Sequence, residues 1–146
     1  MRSVILSNEI MLPEVAKILS EGTQVTIRAK GNSMLPFIVG GQDSVVLERK
    51  KSYAVGDIVL AEISPKLFVL HRILKIDDAQ VTLMGDGNIS GMEKCRKENI
   101  CGRAIAIIHK GKQIDCNSKR ARRKARLWRI LLPGRRYLLA IYRRIV

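Results

Sequence analysis

Short runs of alternating apolar and polar residues, separated by turn-forming residues, fill most of this chain between residues 23 and 115. In the first run, Val25 and Ile27 alternate with Thr26 and Arg28, which is typical of a half-buried strand. The pattern predicts strands over residues 23–30, 44–48, 57–63, 67–76, 80–84, 100–109 and 112–115. So many short strands with frequent turns predict a mainly β, compact antiparallel domain.

Both ends of the chain have a different character. Pro13 can open a short helix and Gly22 can close it, with its apolar residues on one face. From Ser118 onward the sequence becomes rich in Arg and Lys and favours helix, interrupted at Pro133 and Gly134. We therefore expect three parts: a helical lead-in over 1–22, a β domain over 23–117 and a basic helical tail over 118–146.

The positive charge is concentrated in that tail. The 146 residues include 27 Lys and Arg against 13 Asp and Glu, a net charge of +14. Eleven of the basic residues lie from Lys119 onward, where no acidic residue occurs, so the body is almost balanced. The charge alone therefore does not make the β domain a nucleic-acid-binding one.

The remaining composition argues for a reduced, non-spanning protein. The longest apolar run covers only residues 137–142, whereas a membrane-spanning helix needs about 20 residues. No export signal is apparent, and the three cysteines show no paired spacing. With two histidines, no metal-finger pattern forms, so we expect no metal and no cofactor. The expected location is the cytoplasm, with peripheral attachment to the inner membrane surface through the tail.

The tail combines cations with aromatic and aliphatic residues, a pattern typical of a membrane surface or a partner's acidic groove. The residues predicted to dock are Arg126, Trp128, Arg129, Arg135, Arg136, Tyr137, Arg143 and Arg144. One alternative is a helix folded back over the β body. Nucleic-acid binding is disfavoured, because the aromatic residues lie among aliphatic neighbours and are not interleaved with arginines.

Three short elements could carry chemistry. Ser33 follows the first strand in a turn made by Gly31 and Pro36, where a hydroxyl can be accessible. His71 lies within an apolar strand, which suits a rigidly held general base. Asp86 lies in a glycine turn after the next strand, near enough in hairpin geometry to orient an imidazole. Each signal alone is weak.

In their order along the chain and in their residues, however, these elements resemble motifs of the signal peptidase family and its relatives, the self-cleaving SOS-response repressors. The matching segments are Gly31-Asn32-Ser33-Met34-Leu35-Pro36, Gly56-Asp57-Ile58-Val59, His71-Arg72, Gly85-Asp86-Gly87-Asn88 and Gly102-Arg103. The resemblance covers roughly residues 23–115. A repressor is disfavoured, because only about thirty residues precede the serine box and a DNA-binding domain does not fit there.

The resemblance implies a serine endopeptidase of the Ser/His branch that cleaves a peptide or protein precursor after a small residue. Ser33 would be the nucleophile and His71 the general base, and the hairpin geometry described above adds Asp86 as the expected partner of His71. The substrate pocket and oxyanion hole would be formed by Gly31, Asn32, Met34 and Pro36. Two alternatives stay open: a catalytically inactive peptide- or partner-binding member of the same fold, and nucleic-acid binding through the tail.

Overall fold

The computed structural model of the chain describes residues 3–5, 12–31, 33–88, 91–131, 134 and 138–141. Within these residues, nine strands form one sheet, and the predicted mainly antiparallel β class is confirmed. The strands are β1 Ser3–Ile5, β2 Gln24–Arg28, β3 Ser44–Glu48, β4 Ile58–Ser64, β5 Leu67–Asp77, β6 Gln80–Met84, β7 Glu93–Arg96, β8 Ile100–His109 and β9 Lys112–Asp115. The helices are α1 Leu12–Ser20, a 3₁₀ turn Lys97–Asn99, and α2 Lys119–Ile130.

The order of strands across the sheet is β1-β2-β3-β8-β4-β5-β6-β7, and β9 pairs with β8 outside this path. Strands β4, β5, β6 and β7 are neighbours in both chain and sheet, so they form a meander of hairpins. β1 pairs with β2 in parallel, and every other described pairing is antiparallel. The meander contains His71, the predicted general base.

Seven of these strands lie where the alternating pattern predicts them, and β1 and β7 were not predicted. The sequence of β7 is Glu-Lys-Cys-Arg, in which only Cys95 is buried. A four-residue strand at the end of a sheet needs only one inward side chain, so it carries little alternation of hydrophobicity. This omission affects the site, because β7 begins with a carboxylate, Glu93.

Strand β4 separates two apolar clusters because its side chains alternate between the faces of the sheet. Ile58 and Leu60 join the cluster that also contains Val15 and Leu19 of α1. Val59 and Ala61 join the second cluster, which β5, β6 and β7 complete. All four of these β4 residues are buried, so the meander is held from both sides.

The basic tail begins with α2, which folds back onto the β body. Ser118 caps this helix, and its Oγ accepts a hydrogen bond from the Ala121 N–H at 3.1 Å. Trp128 packs with Leu35, Val39 and Leu139 in a third buried cluster. Among the described residues, no helix combines the length and apolar composition needed to cross a bilayer.

Candidate active site

Ser33 lies in a tight turn just after β2. Gly31 has a φ of +71°, a left-handed conformation that favours glycine. The Met34 carbonyl accepts hydrogen bonds from the N–H groups of Phe37 and Ile38, both at 3.0 Å, so the chain makes a helical turn after Ser33. This turn fixes the Ser33 backbone at the end of the sheet.

His71 is held by the middle of the β4–β5–β6 meander. It pairs with Val59 across β4, and its side chain is buried. Ile73 pairs with Leu83 of β6, which in turn pairs with Glu93 of β7. Residues opposite one another share a face, as do residues two apart on one strand. His71 and Glu93 therefore project from the same face of the sheet.

A side-chain contact joins these two residues. Nδ1 of His71 lies 2.5 Å from Oε1 of Glu93, and 24% of the Glu93 side chain is exposed. Because a carboxylate only accepts hydrogen bonds, the Nδ1 position carries the proton in this contact. In a neutral imidazole the other nitrogen, Nε2, is then an acceptor. A carboxylate on Nδ1 thus prepares Nε2 to receive a proton.

The turn after β6 brings His71 and the Ser33 turn together. A Cβ atom on Gly85 would lie 2.2 Å from the Ser33 carbonyl oxygen and 3.1 Å from Nε2 of His71, so only glycine fits. The Gly87 N–H donates a hydrogen bond of 2.7 Å to the Ser33 carbonyl. The Ser33 backbone and Nε2 of His71 therefore both border one residue, Gly85.

The structure corrects the expected role of Asp86 as partner of His71. Both carboxylate oxygens of Asp86 accept hydrogen bonds from Arg72, from Nε at 2.8 Å and from Nη2 at 2.7 Å. Arg72 follows His71 on β5 and so projects from the opposite face. Asp86 is 1% exposed and is committed to that ion pair. The acid that contacts His71 is Glu93, which the sequence interpretation missed.

A cavity of about 340 Å³ borders Ser33 and His71. Gly31 and Met34, two of the predicted pocket residues, line it with Ser33 and His71. The rest of its lining is mostly aliphatic and includes Val15 of α1. Pro36 instead lines a second cavity beneath α2, and Asn32 lies outside the described residues.

The tail residues predicted to dock are divided by the fold. Nε1 of Trp128 donates a hydrogen bond of 2.8 Å to the Asp86 carbonyl, and Trp128 is buried. Trp128 therefore does not lie on an exposed docking face, contrary to the prediction. Instead α2 folds back over the β body, which was the alternative interpretation of the tail. Arg126 is exposed and Arg129 is half-buried. The other predicted docking residues, Arg135, Arg136, Tyr137, Arg143 and Arg144, lie outside the described residues.

The cysteines are poorly suited to act as nucleophiles. All three are free thiols. Desolvation by burial raises the pKa of Cys101 to about 11 and that of Cys116 to about 11. Burial also raises the pKa of Cys95. A thiol must ionise to attack, so burial disfavours a nucleophilic role for all three. Among the described residues, no three His, Cys, Asp or Glu side chains are grouped to hold a metal ion.

The sequence also matches a known protein family. The model of the peptidase S24-like family matches residues 4–110, which is most of the chain. The chain therefore belongs to the peptidase S24-like family, and its fold is serine-peptidase-like. No curated protein matches it.

Proposed function

We propose that this protein is a serine endopeptidase with Ser33 as nucleophile, His71 as general base and Glu93 as the residue that orients His71. The observation that carries the proposal is the contact of Nδ1 of His71 with Glu93, while Nε2 lies beside the Ser33 turn at Gly85. A serine hydroxyl is a weak nucleophile until a positioned base accepts its proton. The family membership supports this assignment of roles.

The reaction divides into two acyl transfers. Nε2 of His71 accepts the proton of the Ser33 hydroxyl as Oγ bonds to the substrate carbonyl carbon. The same proton passes to the leaving amine as the peptide C–N bond breaks, which leaves an acyl ester on Ser33. A water molecule, deprotonated by His71, then attacks the ester and releases Ser33. Glu93 stabilises the imidazolium in both steps.

The cavity beside Ser33 indicates the class of substrate. Its mostly aliphatic lining, which includes Ile27, Met34 and Leu60, suits an apolar side chain of the substrate next to the cleaved bond. A β scaffold suits a substrate in extended conformation, paired through its backbone. The substrate is therefore an extended peptide or precursor segment with an apolar residue at the cleavage site.

A fluorophosphonate probe tests the nucleophile directly, because it forms a covalent bond with an activated serine. We expect wild-type protein to be labelled, with the adduct mapped to Ser33 by mass spectrometry, and Ser33→Ala to remain unlabelled. Ser52→Ala, which changes an exposed serine outside the site, is the matched control and should be labelled like wild type. Equal labelling of Ser33→Ala would contradict the proposal. No labelling in wild type, with peptide binding unaffected by Ser33→Ala, would instead identify an inactive binding protein.

The outer face of α2 supports a second function, attachment to an anionic bilayer. The helix contains seven Lys and Arg and no acidic residue. Leu127 and Ile130 are 56% and 68% exposed, although Ala125 and Trp128 of the same helix are buried. Exposed aliphatic side chains among cations are the pattern of a helix that lies in a membrane interface.

Vesicle co-sedimentation tests this attachment. Phosphatidylglycerol-containing vesicles should bind the protein and pure phosphatidylcholine vesicles should not. The double variant Leu127→Ser/Ile130→Ser should lose most of the binding. Leu67→Ser is the matched control, because Leu67 is 53% exposed in the distant β4–β5 hairpin. Equal loss in both variants, or binding to RNA in place of vesicles, would contradict membrane attachment.

A further inference from the structure

A second cavity, of about 860 Å³, lies between α2 and the sheet. Phe37, Arg72 and Arg103 line it from the β body, and Ala125 and Trp128 line it from α2. Arg72 projects from the face of β5 opposite to His71. The cavity therefore belongs to a different part of the molecule from the candidate active site.

The acidic groups of this cavity are already engaged. Asp43 accepts hydrogen bonds from the Val39 N–H at 2.8 Å and contacts Nδ1 of His109 at 2.5 Å. Asp57 accepts from the Ala54 N–H and forms an ion pair with Arg103. Both carboxylates are therefore already paired, and they do not neutralise the other Arg and Lys side chains that line the cavity.

Two arginines that line the cavity each have one buried nitrogen without a hydrogen-bond acceptor in the described part of the chain. Nε of Arg103 and Nη1 of Arg129 are buried and make no hydrogen bond in the described part of the chain. Both arginines line the cavity. A buried donor without an acceptor is unfavourable, so such groups call for an explanation. Both nitrogens are closed to solvent, so an anionic group in the cavity would act on the two guanidinium groups through their charge.

The electrostatic environment of Arg129 agrees with this requirement. Desolvation lowers the pKa of Arg129, and the neighbouring cations Arg72 and Arg126 lower it further, against the opposing effect of Asp86. The local excess of positive charge would be relieved by a bound anion.

The rest of the lining is apolar and large enough for an aliphatic body. Phe37, Ile58, Ile107 and Trp128 contribute aromatic and aliphatic surface to the cavity. A small inorganic anion would leave most of this surface uncovered. A ligand with one anionic end and an apolar chain would match both parts of the lining.

We propose that this cavity binds a single-chain amphiphile with an anionic head group of the carboxylate class. The guanidinium groups of Arg103 and Arg129 attract the head group, and the apolar chain lies against Phe37, Ile107 and Trp128. This site is independent of the proposed peptidase activity, so either can fail without the other.

Trp128 provides a built-in reporter, because it is the only tryptophan of the chain and lines the cavity. We expect 11-bromoundecanoate, a heavy-atom quencher, to quench its fluorescence saturably below the micelle concentration and without vesicles. Undecanoate should compete and restore the fluorescence. Dodecyltrimethylammonium, which has the opposite charge, should not compete.

Variants assign the head-group contacts. Arg129→Met and Arg103→Met should each weaken binding about tenfold or more, because each removes one positive charge beside the anionic head group. Arg123→Met is the matched control, because Arg123 is exposed on α2 and does not line the cavity. Should Arg103→Met fail to fold, Arg129→Met on the outer helix carries the test alone.

Four results would overturn the proposal. These are no saturable quenching, equal competition by the cationic amphiphile, affinity unchanged in Arg129→Met, and competition by inorganic phosphate as strong as by undecanoate. Loss of quenching in Ile130→Ser would also overturn it, because Ile130 is exposed on α2 and does not line the cavity.

Discussion

Two adjacent residues of β5, His71 and Arg72, project from opposite faces of the sheet, and each contacts a carboxylate. His71 meets Glu93 through one nitrogen, and its second nitrogen lies beside the Ser33 turn. Arg72 meets Asp86 through two nitrogens and donates a third hydrogen bond, from Nη1 to the Gly56 carbonyl at 2.8 Å. One pair leaves a nitrogen available for chemistry, and the other uses its nitrogens for structure.

The difference in burial gives the two pairs different physical roles. In the Arg72–Asp86 pair both side chains are almost fully buried, and the Arg72 guanidinium also lies 5.0 Å from the centroid of the Phe37 ring. Removing one partner of such a pair leaves an uncompensated buried charge. In the His71–Glu93 pair the carboxylate is partly exposed, so water can replace a lost contact. We therefore expect the first pair to govern stability and the second to govern activity.

Loss of the His71 imidazole should give the largest effect on activity. In His71→Ala the Ser33 hydroxyl has no general base, so the rate of labelling by fluorophosphonate should fall about 10⁴-fold. The measurement is the second-order rate of labelling, with circular dichroism to verify folding.

The other histidine provides a matched control for that measurement. Nδ1 of His109 also lies 2.5 Å from a carboxylate, that of Asp43, but His109 does not border the cavity at Ser33. His109→Ala should therefore label like wild type. Equal losses in the two variants would show that labelling depends on folding rather than on a base.

Asp86→Ala should give the largest loss of stability. It leaves the Arg72 guanidinium buried without its counter-charge, which typically costs about 3–5 kcal/mol in the free energy of unfolding. Urea denaturation measures this, and Glu93→Ala is the comparison, with an expected loss of about 1 kcal/mol or less. If Glu93→Ala were the more destabilising variant, the assignment of the two pairs would be reversed.

Glu93→Gln should separate the effect of the Glu93 charge on His71 from the contribution of the side chain to stability. The amide keeps the shape of the side chain but no longer stabilises a protonated His71, so labelling should slow about 100-fold with little change in stability. Glu93→Asp should recover part of the rate because it restores the charge. Glu98→Gln serves as the control and should have no effect, because Glu98 is an exposed acid two residues after Arg96, where the pairing of β7 with β6 ends. Wild-type rates in Glu93→Gln would remove Glu93 from the mechanism.

Seven of the nine described strands, the turn at Ser33 and the strand position of His71 could be predicted, because each depends on local signals such as alternation and turn residues. The carboxylate partner was harder to predict. Asp86 follows β6 in a glycine turn, where the sequence suggests that it could contact His71. It pairs with Arg72 instead, and this depends on the face of the sheet from which Arg72 projects. Residues 89–92 contain no acid, and Glu93 comes immediately after them. Its role depends on the pairing of β7 with β6, which that short, charged strand does not reveal.

The packing of the tail against the β body also could not be predicted from the sequence pattern. Trp128 among arginines resembles a membrane anchor, and only the packing of α2 against Leu35 and Val39 shows that it lies inside. Periodicity identifies an apolar stripe on a helix but does not say what covers that stripe.

Trp128→Phe should give the smallest effect on the rate of labelling. It keeps the aromatic packing with Phe37, whose ring centroid lies 6.2 Å away, and removes the hydrogen bond from Nε1 to the Asp86 carbonyl. A buried carbonyl left without this donor should cost about 1–2 kcal/mol in urea denaturation. Leu127→Phe, at the exposed neighbouring position, should change stability by less than about 0.5 kcal/mol. Trp128 contacts Asp86, which belongs to the buried Arg72–Asp86 pair and not to the His71–Glu93 pair. Where both proteins are folded, the rate of labelling of Ser33 in Trp128→Phe should therefore stay within about twofold of wild type. A twofold change corresponds to about 0.4 kcal/mol in the activation barrier. A large loss of labelling without a loss of stability would show that α2 controls the active site through the Gly85–Asp86–Gly87 turn.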